Sequence, residues 1–296
     1  MVAAMSVLVR IAYDGAGFHG FARQAASSER AAPRTVQGVL EEVLTGFYRA
    51  PVRVRGASRT DAGVHALGQL IAFEPPSTIP AEGLLRALQR LLPGDLSARA
   101  AWTEERADGA PVEPRFESGG KRYRYVVRTS PLRAARGAAY EWHLRRRLDL
   151  PAMQAAAVHL VGEHDFASFR GAGCQAKTTI RRLRGLAVRG EEDAEASLGD
   201  PGEARGEGPA LVVFEVDGEA FLYNMVRILV GTLVEVGRGR RPPESMPAVL
   251  MARDRGAAGP TAPAEGLTLV EVLWPGEGRR GRAQESLGDI HVMASR

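Results

Sequence analysis

Two hydrophobic periods alternate along the chain, and the points where one gives way to the other predict its elements. Residues 7–13 alternate apolar and polar like a half-buried strand and run into Asp14-Gly15-Ala16-Gly17, a turn composition. Thr35 is suited to cap a helix, and Val36, Val39, Leu40, Val43, Leu44 and Phe47 then recur on one helical face to about residue 49. A short alternating run at 52–55 and a β-compatible run at 67–73 predict two strands, the second stopped by Pro75-Pro76. Residues 81–92 form a second amphipathic pattern ended by Pro93-Gly94, and 96–102 return as a strand. Strand, helix, two strands, helix, strand is the order of a split βαβ unit.

The second half roughly repeats it. Strands are predicted at 121–129, 181–188, 211–216 and 267–274, and helices at 151–161, 221–236 and 245–253. The stretch 163–169 reads as a helix end carrying two core phenylalanines, Phe166 and Phe169. The expected class is α+β, with lobes at 1–110 and 111–275 whose sheets abut and leave a cleft between them. A Gly- and Arg-rich tail, 276–296, is expected to be mobile.

Composition narrows the partners. The net charge of the 296 residues is only +4, but Glu191 to Glu207 holds seven acidic residues against Arg205 alone. With that loop, 190–208, set aside as a solvated connection, the rest is strongly basic and a polyanionic partner is the leading expectation. Nearly all the basic residues are arginine; Lys121 and Lys177 are the exceptions. That bias fits GC-rich coding as well as guanidinium grip on phosphates. One cysteine, Cys174, excludes an intramolecular disulfide, and the scattered histidines offer no metal-ligand spacing, so no metal is expected. No apolar run approaches the ~20 residues of a membrane span, and the N-terminus lacks a basic leader, so a cytoplasmic protein is expected.

The chemistry concentrates at Arg59-Thr60-Asp61-Ala62-Gly63-Val64-His65, which sets a carboxylate in a turn between two predicted strands. Arg59 lies two residues away and is suited to hold Asp61 ionised. Alternation in Lys121-Arg122-Tyr123-Arg124-Tyr125 puts the tyrosines on one strand face, for base stacking or for packing under a helix. Arg227 is the one arginine in the mostly apolar 221–236 segment and needs a carboxylate partner, for which Asp61 is the candidate. Phe18, His19 and Phe21 beside Arg23 suit either base stacking or capping of the core. Residues 258–267 read as a rigid loop before the last strand.

In this order and over nearly the whole chain, these stretches resemble the TruA family of tRNA pseudouridine synthases. The resemblance implies the pseudouridine synthase fold, two ferredoxin-like α+β halves sharing a mixed, largely antiparallel sheet with a central cleft. It implies a homodimer acting on tRNA, with no cofactor or metal. By position, Asp61 takes the catalytic aspartate, Tyr123 the tyrosine stacked on the target uracil, Arg227 the arginine paired with the aspartate, and Arg59 the arginine that assists opening of the RNA. The expected reaction is isomerisation of uridine to pseudouridine in the anticodon stem-loop. The alternatives are a paralogue using another RNA or free uridine or its monophosphate, and a non-catalytic RNA-binding module. Ser58 stands where the family usually has glycine, Phe21 where it has tryptophan and Ala22 where glutamine is frequent. Val112-Glu113-Pro114-Arg115 replaces Phe-His-Ala-Arg, and Ser118 an alanine. None of these departures is expected to touch Asp61, Tyr123 or Arg227.

Overall fold

The computed structural model describes residues 5–25, 31–192 and 209–275; the tail at 276–296 and most of the acidic loop lie outside the described residues. In chain order the elements are β1 (Met5–Tyr13), α1 (Val36–Tyr48), β2 (Arg55–Gly56), β3 (His65–Phe73), α2 (Ala81–Leu91) and β4 (Leu96–Glu105). There follow α3 (Pro114–Glu117), β5 (Gly120–Arg128), β6 (Trp142–His143), α4 (Leu150–Val158), β7 (Gly162–Asp165), β8 (Ile180–Glu191) and β9 (Leu211–Gly218). The last are α5 (Met225–Gly237), α6 (Met246–Ala252) and β10 (Leu267–Leu273). Among the described residues, no helix is long and apolar enough to cross a membrane.

One sheet of ten strands runs β4-β1-β3-β10-β5-β9-β8-β7, with β2 on β3 and β6 on β5. It is mixed and largely antiparallel: among the described residues only β10 on β3 and β6 on β5 pair in parallel. The last strand is therefore the seam. β10 places Thr268 opposite His65 and Leu269 opposite Ala66, while its other edge pairs with β5 through Leu269 opposite Tyr123. The residues that open β3 thus lie two strands from Tyr123. The two faces of β5 differ as its alternation requires. Lys121, Tyr123, Tyr125 and Val127 are buried, whereas Arg122 pairs with Asp217 and Arg124 with Glu191 on the other face.

Three expected elements take a different form, each for a local reason. The strand at 52–55 shrinks to Arg55–Gly56 because side chains of α1 take its backbone bonds: Glu41 accepts from the Val54 N–H, Thr45 from the Val52 N–H, and Gln37 donates to the Val54 carbonyl. The helix expected from 221 begins at Met225, since Asn224 is left-handed at φ 60°. Residues 162–165 are an edge strand on β8, not a helix end, although Phe166 and Phe169 are fully buried. Phe18 and Phe21 cap the core and are not exposed stacking faces.

Candidate active site

The loop ahead of β3 alternates inward and outward. Ser58 and Thr60 are buried, Arg59 is exposed, and Asp61 opens a tight turn in which the Val64 N–H bonds to the Asp61 carbonyl and Gly63 takes φ +80°. Two segments brace it. Phe21 N–H donates to the Thr60 carbonyl at 3.0 Å, and the turn after β1 packs so closely that a Cβ on Gly15 would lie 2.1 Å from the Val64 carbonyl oxygen. Thr60 shares a 2.8 Å hydrogen bond with the Tyr13 hydroxyl, and His65 accepts at Nδ1 from the Gly15 N–H. Thr60 and His65 therefore build the loop, and of the two only Thr60 also contributes to the lining of the cleft.

Gln69, fully buried inside an apolar strand, clamps the loop from below: its amide donates to the Ser58 carbonyl at 2.7 Å and accepts from the Ser58 N–H at 3.2 Å. The one signal for it in the sequence is a glutamine inside the apolar run of β3.

Opposite this loop stands the first turn of α5. Arg227 reaches Asp61 at 3.3 Å, and the two side chains are each about four-fifths buried, with exposures of 18% and 20%. The guanidinium is fixed by two further bonds, to the Ala262 carbonyl at 2.7 Å and to the Asn224 side-chain oxygen at 2.8 Å. Its carbonyl receives the Ala262 N–H in return, so the 258–267 loop is tied to the site through Arg227. Burial pushes the Asp61 carboxyl above its ordinary value, and Arg227 opposes that shift by charge and by hydrogen bond. The arginine facing Asp61 is Arg227. Arg59, expected to hold the carboxylate ionised, makes no ion pair with it among the described residues and lies exposed at the cleft.

Between these walls is a cleft of about 870 Å³. Arg59, Arg115, Lys121, Arg181 and Arg227 line it, and among the described residues Asp61 is the only carboxylate in the lining. Tyr123 forms part of the wall, its ring 5.1 Å from Phe221 and edge-on to it. Burial raises its hydroxyl to a pKa of about 12, so the group is neutral and bonds to the Ser58 hydroxyl at 2.9 Å. One sequence departure thus does touch a site residue, contrary to expectation. On the rim Phe116 and Tyr223 present exposed rings, 79% and 47%, of the kind on which unpaired bases stack.

A carboxylate held by a guanidinium in a cation-lined cleft, on a continuous mixed sheet, is an arrangement suited to chemistry on an anionic substrate. Comparison with known proteins gives it a family. The model of the tRNA pseudouridine synthase family matches residues 10–106 and 156–275. The chain is similar to tRNA pseudouridine synthase A of Geotalea uraniireducens, with 40% identity over 89% of this chain and 97% of that protein. It is likewise similar to the proteins of the same name from Myxococcus xanthus, 44% identical over 81% and 83%, and Limosilactobacillus fermentum, 41% over 90% and 95%. The chain belongs to the tRNA pseudouridine synthase family and is an isomerase of that class.

Proposed function

We propose that the protein isomerises uridine to pseudouridine in tRNA, in the anticodon stem-loop, with Asp61 as its catalytic carboxylate. The observation that carries this reading is the Asp61–Arg227 pair in a cleft whose lining holds no other carboxylate among the described residues. The reaction breaks the bond from N1 to C1′ and joins C5 to C1′; the proton lost at C5 is balanced by one gained at N1. Addition of the carboxylate to the base, its addition to the sugar and abstraction of the C2′ proton each require Asp61 to be ionised. Arg227, fixed on three acceptors, keeps that charge in place inside a half-dry site.

Because a paired uridine is stacked inside its helix, it must leave the stack to reach Asp61. In this reading Tyr123 stacks on the extruded uracil, and exposed Arg59 fills the vacancy. The cationic lining draws in the phosphate backbone. The enzyme is taken to be a cytoplasmic homodimer whose lobes are residues 1–110 and 111–275.

The test is to incubate the protein with unmodified tRNA transcripts and, separately, with uridine and its monophosphate, and to quantify pseudouridine by mass spectrometry. Product in tRNA that disappears in Asp61→Asn, with RNA affinity retained and falling steeply with salt, is expected. Product from the small molecules alone, or undiminished product in Asp61→Asn, overturns the reading.

A further inference from the structure

Lys121 is 7% exposed, yet among the described residues it has neither a hydrogen-bond partner nor a carboxylate partner. Its side chain lies on the Tyr123 face of β5 and lines the cleft. The residues directly across from it are Gly218 on β9 and Val272 on β10, which bring no charge. From α3, Arg115 adds a second positive charge. Arg184, reaching over from β8, is tied to Asp217 and to the Gly119 carbonyl. The single carboxylate of the cleft lining among the described residues, Asp61, is engaged by Arg227.

A positive charge on a largely buried side chain beside another cation is costly, and such a group, opening on the cleft, marks a place where a ligand supplies the anion. We propose that Lys121 and Arg115 form a phosphodiester subsite that grips the backbone phosphate flanking the target uridine. The subsite deepens the functional reading above and rests on it. Two residues apart on one strand face, Lys121 stands about 7 Å from Tyr123, within the reach of a nucleotide whose base lies on that ring. Burial, with Arg115 adding to it, lowers the Lys121 ammonium to a pKa of about 8, so an arriving phosphate would raise it again. Affinity from this contact is full below about pH 8 and is lost as the pH climbs from there towards the higher value of the bound state.

The experiment measures the affinity of an unmodified anticodon stem-loop for the Asp61→Asn protein, alone and with Lys121→Met or Lys121→Arg, from pH 7 to 9.5. Lys121→Met is expected to weaken binding by about tenfold or more. The affinity of the parent should fall by up to about tenfold per pH unit above pH 8, whereas Lys121→Arg, charged throughout, should stay flat. A stem-loop with one neutral methylphosphonate beside the target uridine should lose affinity for the parent and lose nothing further in Lys121→Met. Thermal unfolding should show Lys121→Met at least as stable as the parent, the opposite of what a structural lysine would give. Unchanged affinity and pH dependence in Lys121→Met, or equal losses for methylphosphonates at every position, overturns the subsite. Turnover of the same stem-loop by the unaltered enzyme reports separately on the functional reading. If only uridine monophosphate is turned over, the subsite stands or falls on whether Lys121→Met abolishes its preference over uridine.

Discussion

The Ser58 hydroxyl lies 2.9 Å from the Tyr123 hydroxyl, and both side chains are buried in the wall of the cleft. A glycine at position 58 would leave the phenol without this partner. An unmatched buried hydroxyl costs about 1–3 kcal/mol, while removal of both members of a pair can be nearly neutral. Ser58→Ala and Tyr123→Phe should therefore each lower the urea midpoint, and the double variant should be no less stable than the worse single one. Additive losses would show that the two hydroxyls stabilise the fold separately.

Asp61 makes a second case in which sign matters. A carboxyl whose folded pKa is raised above its unfolded value stabilises the fold only while protonated. That contribution is present below the unfolded pKa and lost as pH rises through the raised one. At pH 7.5 the ionised group is thus a burden on stability, and Arg227 keeps two other acceptors if the carboxylate goes. Asp61→Asn should be at least as stable as the unaltered protein in denaturant while losing turnover. In Arg227→Met the burial remains and the opposing charge is gone, so the acid limb of kcat/KM should move to higher pH. A limb that stays in place, or moves down, would mean that Arg227 does not govern the Asp61 charge.

Asn224 separates backbone from side chain. It holds φ 60°, a conformation that asparagine and glycine tolerate, and its side-chain oxygen fixes the Arg227 guanidinium. Asn224→Gly keeps the backbone and removes the acceptor; Asn224→Ala adds strain of about 1–2 kcal/mol. Both should lower kcat/KM on the order of tenfold, the worth of one hydrogen bond to a charged group. Only the alanine variant should also lose that further increment of stability in urea unfolding. Full activity in Asn224→Gly would show that Arg227 is oriented without it.

How much of this was legible depended on whether the cause was local. The 3.6-residue period of α1 and the alternation of β5 follow from each segment's own residues, so Thr35 as cap and Tyr123 with Tyr125 on one face were readable in advance. The carboxylate partner of Arg227 was also within reach, because a lone arginine in a mostly apolar segment demands one. What escaped depended on distant groups. Nothing in Val52 to Arg55 shows that α1 will take its backbone bonds, and nothing in the Asp61 loop shows that the nearer arginine, Arg59, will turn outward. Ser58 stands 65 residues before its partner. The burial of Lys121 follows from strand pairings to β9 and β10, whose partners lie nearly one hundred residues or more along the chain.

Two helical glycines carry the same substitution to opposite outcomes. In a helix interior, Gly→Ala ordinarily stabilises by about 0.5–1 kcal/mol. Gly46 in α1 is exposed, and a Cβ there meets nothing within 4 Å. Gly46→Ala should therefore raise Tm and leave turnover unchanged. On α5, a Cβ at Gly231 would fall 1.8 Å from the Pro260 carbonyl oxygen, where the 258–267 loop lies against the helix one turn beyond Arg227. That loop also brings the Ala262 carbonyl to the Arg227 guanidinium. Gly231→Ala must push the loop outward, so the helix-propensity gain is outweighed by overpacking, which costs about 1–3 kcal/mol. It should lower both Tm and kcat/KM, because the displaced loop gives up an acceptor that orients the guanidinium facing Asp61. Thermal unfolding and turnover of the two variants side by side check the argument. A Gly231→Ala protein as stable and active as the Gly46→Ala one would show that the loop is free to move without consequence for Arg227.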